Sequence, residues 1–264
     1  MHHRRFAAAL AAAVLSLPLQ ASHSADNNVP KLDHVVVVIL ENRPYAQIVD
    51  PDRAPFIYSL ATRGALFVNA FAVSHPSQPN YFALFSGSTQ GIRDDKDHIF
   101  DVPTLAGALH AAHKSFIGYA ETSSPRKHNP WESFVNARAT GRNLDEFPSD
   151  FTRLPTVSFV VPNLENDMHD GSVRKGDDWL KAHLGAYAAW AKTNNSALII
   201  TFDEDDSSAD NHISTIVYGA HVRSGRYAER ISHYNVLNTL LAMYALPPLA
   251  KAAIAPPIRA IWID

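Results

Sequence analysis

The amino-acid sequence predicts an α/β fold, a doubly wound and mostly parallel sheet with helices on both faces. Three observations carry that expectation. Short runs of β-branched and aliphatic residues recur along the chain, and amphipathic helical patterns separate them. The runs hold almost no polar residues, as strands covered on both faces should. No repeat, linker or second composition class interrupts the series.

The first run, Lys31 to Leu40, contains the uninterrupted stretch VVVVIL and suits a central strand. Further strands are expected at Ser115 to Tyr119, Thr156 to Val161, Ala197 to Phe202 and Ile213 to Tyr218. Helices are expected at Ala54 to Arg63, Thr104 to Ala112, Asp177 to Lys192 and His233 to Tyr244, with His233 read as the cap of the last. Another helix is expected to start near Ser77. The stretches Gly87 to Asp101 and Glu121 to Phe151 are polar and turn-rich, and loops of that length in a compact domain tend to be functional.

Bulk composition narrows the classes. With 264 residues, 46% of them hydrophobic, the chain can bury the core of one α/β domain. Its first 25 residues read as an export signal: His2, His3, Arg4 and Arg5 precede an apolar run from Phe6 to Leu19, and small residues follow at Ala21, Ser22, Ser24 and Ala25. The alternatives are a membrane anchor, which needs about 20 apolar residues, and a buried helix. Cleavage would leave residues 26–264 as the mature domain, periplasmic or secreted, with no transmembrane segment. Loss of Arg4 and Arg5 would take the formal charge from −3 to −5, which gives nucleic acid no electrostatic footing. The chain has no cysteine, so disulfides, thiolate nucleophiles and Cys-type zinc sites are excluded.

Three polar clusters matter most, because open parallel sheets bind ligands at the carboxyl ends of their strands. Glu41 and Asn42 follow the first strand and are open to two readings, a loop-capping pair or two oxygen donors to a metal. Asp203, Glu204, Asp205 and Asp206 follow the run ALIITF, either as a solvated charged turn or as a hard-cation site. Ser77, in SHPSQPNY, is read either as an ordinary helix cap or as a hydroxyl activated by the positive end of a helix, where a phosphate would also be welcome.

The motifs LENRPY, SHPSQPNYFALFSGS, PNLENDMHDG, and TFDEDD followed by NHI occur in this order between Asp33 and about Pro248. Together they resemble the phosphoesterase family of bacterial acid phosphatases and phospholipases C, within the alkaline phosphatase superfamily. The resemblance implies an alkaline phosphatase-like fold with residues 26–264 as the phosphoesterase domain. It implies Ser77 as nucleophile and Glu41, Asn42, Asp203 and Glu204, with the Ser77 oxygen, as metal ligands. It places His169 and His212 near the phosphate or leaving group as catalytic groups, and His128, in a loop, and Asp167 as phosphate or substrate contacts. Asn166 and Asp167 precede His169 and either orient it or build the turn, while His75 flanks the nucleophile and either faces it or points away.

The superfamily commonly uses two zinc ions held by several histidines, whereas the matching positions here are mostly oxygen donors. That donor set suits Ca, Mg or Mn better than Zn. The expected activity is metal-dependent hydrolysis of phosphate monoesters through a phosphoserine. Alternatives are a phospholipase C-type diesterase, a phosphoinositide phosphatase acting on a lipid phosphate ester, and a non-catalytic periplasmic protein that binds cations or phosphate. Sulfatase or mutase chemistry fits less well, since sulfatases use a Cys or Ser in a different motif.

Overall fold

The computed structural model of the protein describes residues 29–263, so the expected signal segment lies outside the described residues. In chain order the elements are β1 His34–Leu40, α1 Tyr45–Ile48, α2 Pro55–Arg63, β2 Ala65–Phe71, α3 Ser77–Ser86, α4 Leu105–Ala111, β3 Phe116–Ala120, β4 Gly141–Asn143, β5 Val157–Val161, α5 Val173–Ala191, β6 Ser196–Phe202, β7 His212–Gly219, β8 Gly225–Ser232 and α6 His233–Met243. One eight-stranded sheet runs in the order β4-β3-β5-β1-β6-β7-β2-β8. β7 pairs antiparallel with both of its neighbours, and all other pairs are parallel.

β1, β5 and β6 are buried along nearly their whole length, so both faces of the sheet centre are covered. α2 packs on α5, while α3 packs on α4 and α6. The predicted α/β class and the central strands therefore hold, and the layers are those of a doubly wound sheet.

Among the elements that depart from the sequence reading, three have a plain physical reason. β2 was not expected because Gly64 alone separates it from α2, so its apolar residues merge with the helix pattern. β8 was not expected because it is an exposed edge strand bearing Arg226, Glu229 and Arg230, which is how sheets blunt an open edge. α5 starts at Val173, four residues before the expected Asp177. Ser172 caps it by accepting from the Lys175 N–H at 3.2 Å, and Asp177 instead accepts from the Phe56 and Ile57 N–H groups at 3.0 and 2.7 Å, capping α2 from a neighbouring helix.

His233 is likewise not the cap of α6. Ser232 holds that position, and the Ser232 N–H donates to Asn235 Oδ1 at 2.8 Å. The His233 ring is buried and tied to the Phe202 carbonyl at 2.9 Å.

The expected loop from Glu121 to Phe151 folds into short 3-10 turns and β4, with Trp131 and Phe134 buried beneath. Gly118 in β3 makes this possible, because a Cβ there would stand 2.1 Å from the Trp131 ring. Trp131 anchors the segment that carries His128 towards the sheet. Gly118→Ala should therefore destabilise the fold by about 1–3 kcal/mol through overpacking. Urea unfolding of the variant measures this, and an unchanged midpoint would show that the indole can shift at no cost.

Candidate active site

Strand register brings the site together. Leu40 lies opposite Phe202 in the parallel β1–β6 pair, so the residues that follow each strand emerge side by side. The Asp203 N–H donates to the Leu40 carbonyl at 3.0 Å and the Glu41 N–H to the Asp167 carbonyl at 2.8 Å, tying the loop after β5 to the other two. Asn42 has a left-handed backbone (φ 50°), which asparagine tolerates, and its N–H donates to Asp203 Oδ1 at 3.1 Å.

Ser77 is the first residue of α3, a helix buried along its whole length. Its Oγ lies 3.0 Å from Glu41 Oε2 and 3.2 Å from Glu204 Oε1. A hydroxyl has one proton to donate, so it serves both contacts only when one carboxyl is itself protonated or when a cation stands among the oxygens. The Tyr81 hydroxyl donates to the other Glu41 oxygen. Tyr81 also stacks on the His128 ring, with centroids 5.1 Å apart. His128 Nε2 is 3.3 Å from Glu41 Oε2 and Nδ1 is 3.4 Å from Asp167 Oδ2, both outside hydrogen-bonding geometry.

Glu41, Asp167, Asp203 and Glu204 are all buried. Burial raises the pKa of Glu41, helped by the charges of Asp203 and Asp167. Burial likewise pushes Asp167 up to about 8. Asp203 and Glu204 rise to about 7, chiefly by burial, with Glu204 adding to the shift at Asp203. Burial also holds His128 well below the usual imidazole value, leaving it neutral and able to act as a ligand.

The donor set passes a test of fit for a divalent cation. Buried Asn42 Oδ1, Asp167 Oδ2 and Asp203 Oδ2 accept no hydrogen bond, and such orphaned acceptors need a partner. Glu41, His128 and Asp167 each offer an atom lying within 4.8 Å of the others. His128 and Asp167, expected to contact phosphate, thus stand with Glu41 as candidate cation ligands.

The run of four acids divides. Asp203 and Glu204 turn into the site, whereas Asp205 accepts from the N–H groups of Ser207, Ala209 and Asn211, and Asp206 from those of Ser208 and the Gln47 amide. His75 faces the site: its Nδ1 is 2.6 Å from Glu204 Oε2 and its Nε2 is 3.3 Å from Asp205 Oδ1. His169 lies at the rim, its N–H donating to Asp167 Oδ1 at 2.8 Å and its ring 6.2 Å from that of His128. His212 is not drawn into contact with this group. It is stacked between Tyr45 and Phe71, with Nε2 2.9 Å from the Val68 carbonyl. Asn166 is held by the Glu121 carboxylate at 2.9 Å, so it builds the turn. Tyr81 was missed by sequence reasoning, although its place four residues after Ser77 puts both on one helix face.

Known proteins resemble this chain along most of its length. The model of the Phosphoesterase family matches residues 47–247. A phosphatidylinositol-3-phosphatase of Mycobacterium tuberculosis is 48% identical over 257 residues, covering 91% of this chain and 86% of that protein. A phosphate-repressible acid phosphatase of Penicillium chrysogenum is 29% identical and covers 83% of this chain, which spans 60% of the fungal protein. Among solved structures, a protein in the alkaline phosphatase superfamily from Vibrio parahaemolyticus superposes with a TM-score of 0.60 at 13% identity, over 87% of this chain and 70% of that one. The fold is thus one shared with alkaline phosphatase superfamily structures, and the relatives make the chain a hydrolase acting on phosphate esters. The chain belongs to the Phosphoesterase family.

The raised carboxyl values set a pH dependence. Unfolded carboxyls lose their protons near pH 4, while the folded ones keep theirs to about 7 or 8. The folded chain therefore holds protons that the unfolded chain has released. Their stabilising contribution is complete below about pH 4 and is lost as the pH rises through 7 to 8. With chelator present, the unfolding temperature should fall by roughly 5 °C between pH 6.5 and 8.5. Added Mn or Mg should restore it at pH 8.5 by replacing the protons. A flat profile with chelator would contradict an uncompensated acid cluster.

Proposed function

We propose that this chain is an exported, divalent-cation-dependent phosphatase that cleaves phosphate monoesters through a phosphoserine at Ser77. The observation that carries the reading is the position of the Ser77 hydroxyl, at the amino end of α3 and between the carboxyls of Glu41 and Glu204. A structural cap would turn its oxygen back to its own helix; here Pro76 holds the cap position and the Ser77 Oγ meets Glu41 and Glu204 instead.

Glu41, Asn42, Asp167, Asp203, Glu204 and His128, with the Ser77 oxygen, would hold the cation. Mostly oxygen donors favour Ca, Mg or Mn, and the imidazole nitrogen also admits Zn. Such an ion supplies positive charge that stabilises the serine alkoxide and the phosphate oxygens.

The chain's own groups account for the remaining steps. A carboxylate beside Ser77 takes the hydroxyl proton, and Oγ attacks phosphorus as the ester P–O bond breaks. The departing alkoxide takes a proton from His169, the histidine at the rim. Water then attacks the phosphoserine and gives one proton to His169 as the Oγ–P bond breaks, and the protonated carboxyl returns its proton to Ser77, leaving orthophosphate. His212, boxed between two rings, is positioned to support the end of β7 rather than to reach the leaving group.

The 48% identical relative is a phosphatidylinositol-3-phosphatase, which supports a phosphoinositide monoester as substrate. The basic and then apolar first 25 residues support export.

Ser77→Ala should lower kcat on p-nitrophenyl phosphate by at least about a thousandfold, with the far-UV circular dichroism unchanged. Acid quenching of the wild type with labelled substrate should trap phosphate on Ser77. Retained turnover in the variant would remove Ser77 as the nucleophile.

A further inference from the structure

The amino end of α3 has a second occupant besides Ser77. The Gln78 N–H, among the first free amides of the helix, donates to Asp95 Oδ1 at 3.0 Å. The other carboxylate oxygen of Asp95 meets Lys127 Nζ at 2.9 Å. One carboxylate is therefore shared by a helix-terminal amide and an ammonium, the pair of donors that phosphate oxygens also seek.

Lys127 is not free to wander. It belongs to the 3-10 turn Arg126–His128, directly before the buried His128. The preceding Arg126 pairs with Asp97 at 3.1 Å and donates to the His98 carbonyl at 3.1 Å, fastening the turn to the loop that carries Asp95. The Lys127 side chain is 22% exposed, so its stem is packed and its head points inward to Asp95.

The turn that carries Lys127 also reaches the acid cluster, because the next residue, His128, has its Nε2 3.3 Å from Glu41 Oε2. Among the described residues Glu41, Asp167 and Glu204 meet only histidines in the salt bridges seen, His128 and His75.

We infer that Lys127 binds the phosphate itself, directing its ammonium at the non-bridging oxygens of the group held over Ser77, with Asp95 fixing that ammonium at the amino end of α3. An ammonium has three N–H donors, and Asp95 uses one, which leaves two for phosphate. The inference rests on the phosphomonoesterase reading of Ser77 and assigns that reaction a residue from outside the acid cluster. No proton or bond changes hands at Lys127, which binds and orients the ester.

The test uses the full chain with Mg present and inorganic phosphate as probe. Titration calorimetry should show orthophosphate binding to Lys127→Met weakened about ten- to a hundredfold, as expected for loss of a charge-assisted hydrogen bond. The KM for p-nitrophenyl phosphate should rise by a similar factor while the unfolding temperature stays near that of the wild type. Lys127→Arg, which keeps the charge, should recover most of the affinity, a rescue that a purely structural ion pair would not produce in phosphate binding. Should Lys127→Met not fold, Lys127→Gln makes the same comparison, since it removes the charge and keeps polar N–H donors at a similar reach from the backbone. Wild-type orthophosphate affinity in the neutral variant, or no orthophosphate binding by the wild type, overturns the inference. A wild type that hydrolyses no monoester yet loses phosphate affinity on Lys127→Met would sink the phosphatase reading alone.

Discussion

Four buried carboxylates within one another's fields form the constraint around which the rest of the site is arranged. Glu41, Asp167, Asp203 and Glu204 cannot all be ionised in a low-dielectric interior unless something positive joins them. The protein offers them little of its own: a neutral His128, a half-exposed His75 and the more distant Lys127. At neutral pH the cluster is stable with protons or with a divalent ion. On the reading proposed for Ser77, only the second state leaves a deprotonated carboxylate ready to receive its proton, so that cation affinity and catalytic competence would have one origin.

The sheet explains why such an arrangement survives folding. Parallel pairing of β1 with both β5 and β6 sends three strand ends the same way, and their backbone hydrogen bonds continue past the strands into the loops that carry the acids. The carboxylates are thus held by main-chain geometry established by Val, Ile and Leu packing, far from their own repulsion. α3 supplies the fourth wall. Being buried throughout, it cannot turn Ser77 outward, and one helical turn later Tyr81 holds both Glu41 and the His128 ring in place.

The parts legible in the sequence were those with a single physical cause. A run such as VVVVIL has no good location except the sheet centre, and acids at the mouth of such a run must face the carboxyl edge. Elements with two competing causes were harder to read. β2 is apolar but joined to α2 through Gly64, and β8 is a strand by pairing while its composition is that of a solvated edge. Asp177 is a helix residue whose carboxylate serves another helix. In the site, strand ends and a helix start place Glu41, Asn42, Ser77, Asp203 and Glu204 at one edge of the sheet, while the motif resemblance, not position alone, gives them their expected roles. The partnership of His128 and Asp167 with Glu41 was not legible, since it depends on a loop of 3-10 turns folding over Gly118.

The histidines show why residue type alone is a poor guide in such a site. His212 and His233 both lie near strand or helix ends, yet each spends a ring nitrogen on a main-chain carbonyl, at Val68 and Phe202. His128 makes no hydrogen bond with either nitrogen and is buried between two acids. A buried imidazole left without a hydrogen bond costs stability, and a sequence pays that cost where the lone pair has another use. The same reasoning separates Asp203, with one oxygen unclaimed, from Asp205, whose oxygens are taken up by three backbone N–H groups. Unspent hydrogen-bonding capacity in a buried place, more than the identity of the side chain, distinguishes the groups that await a ligand from those that hold the fold.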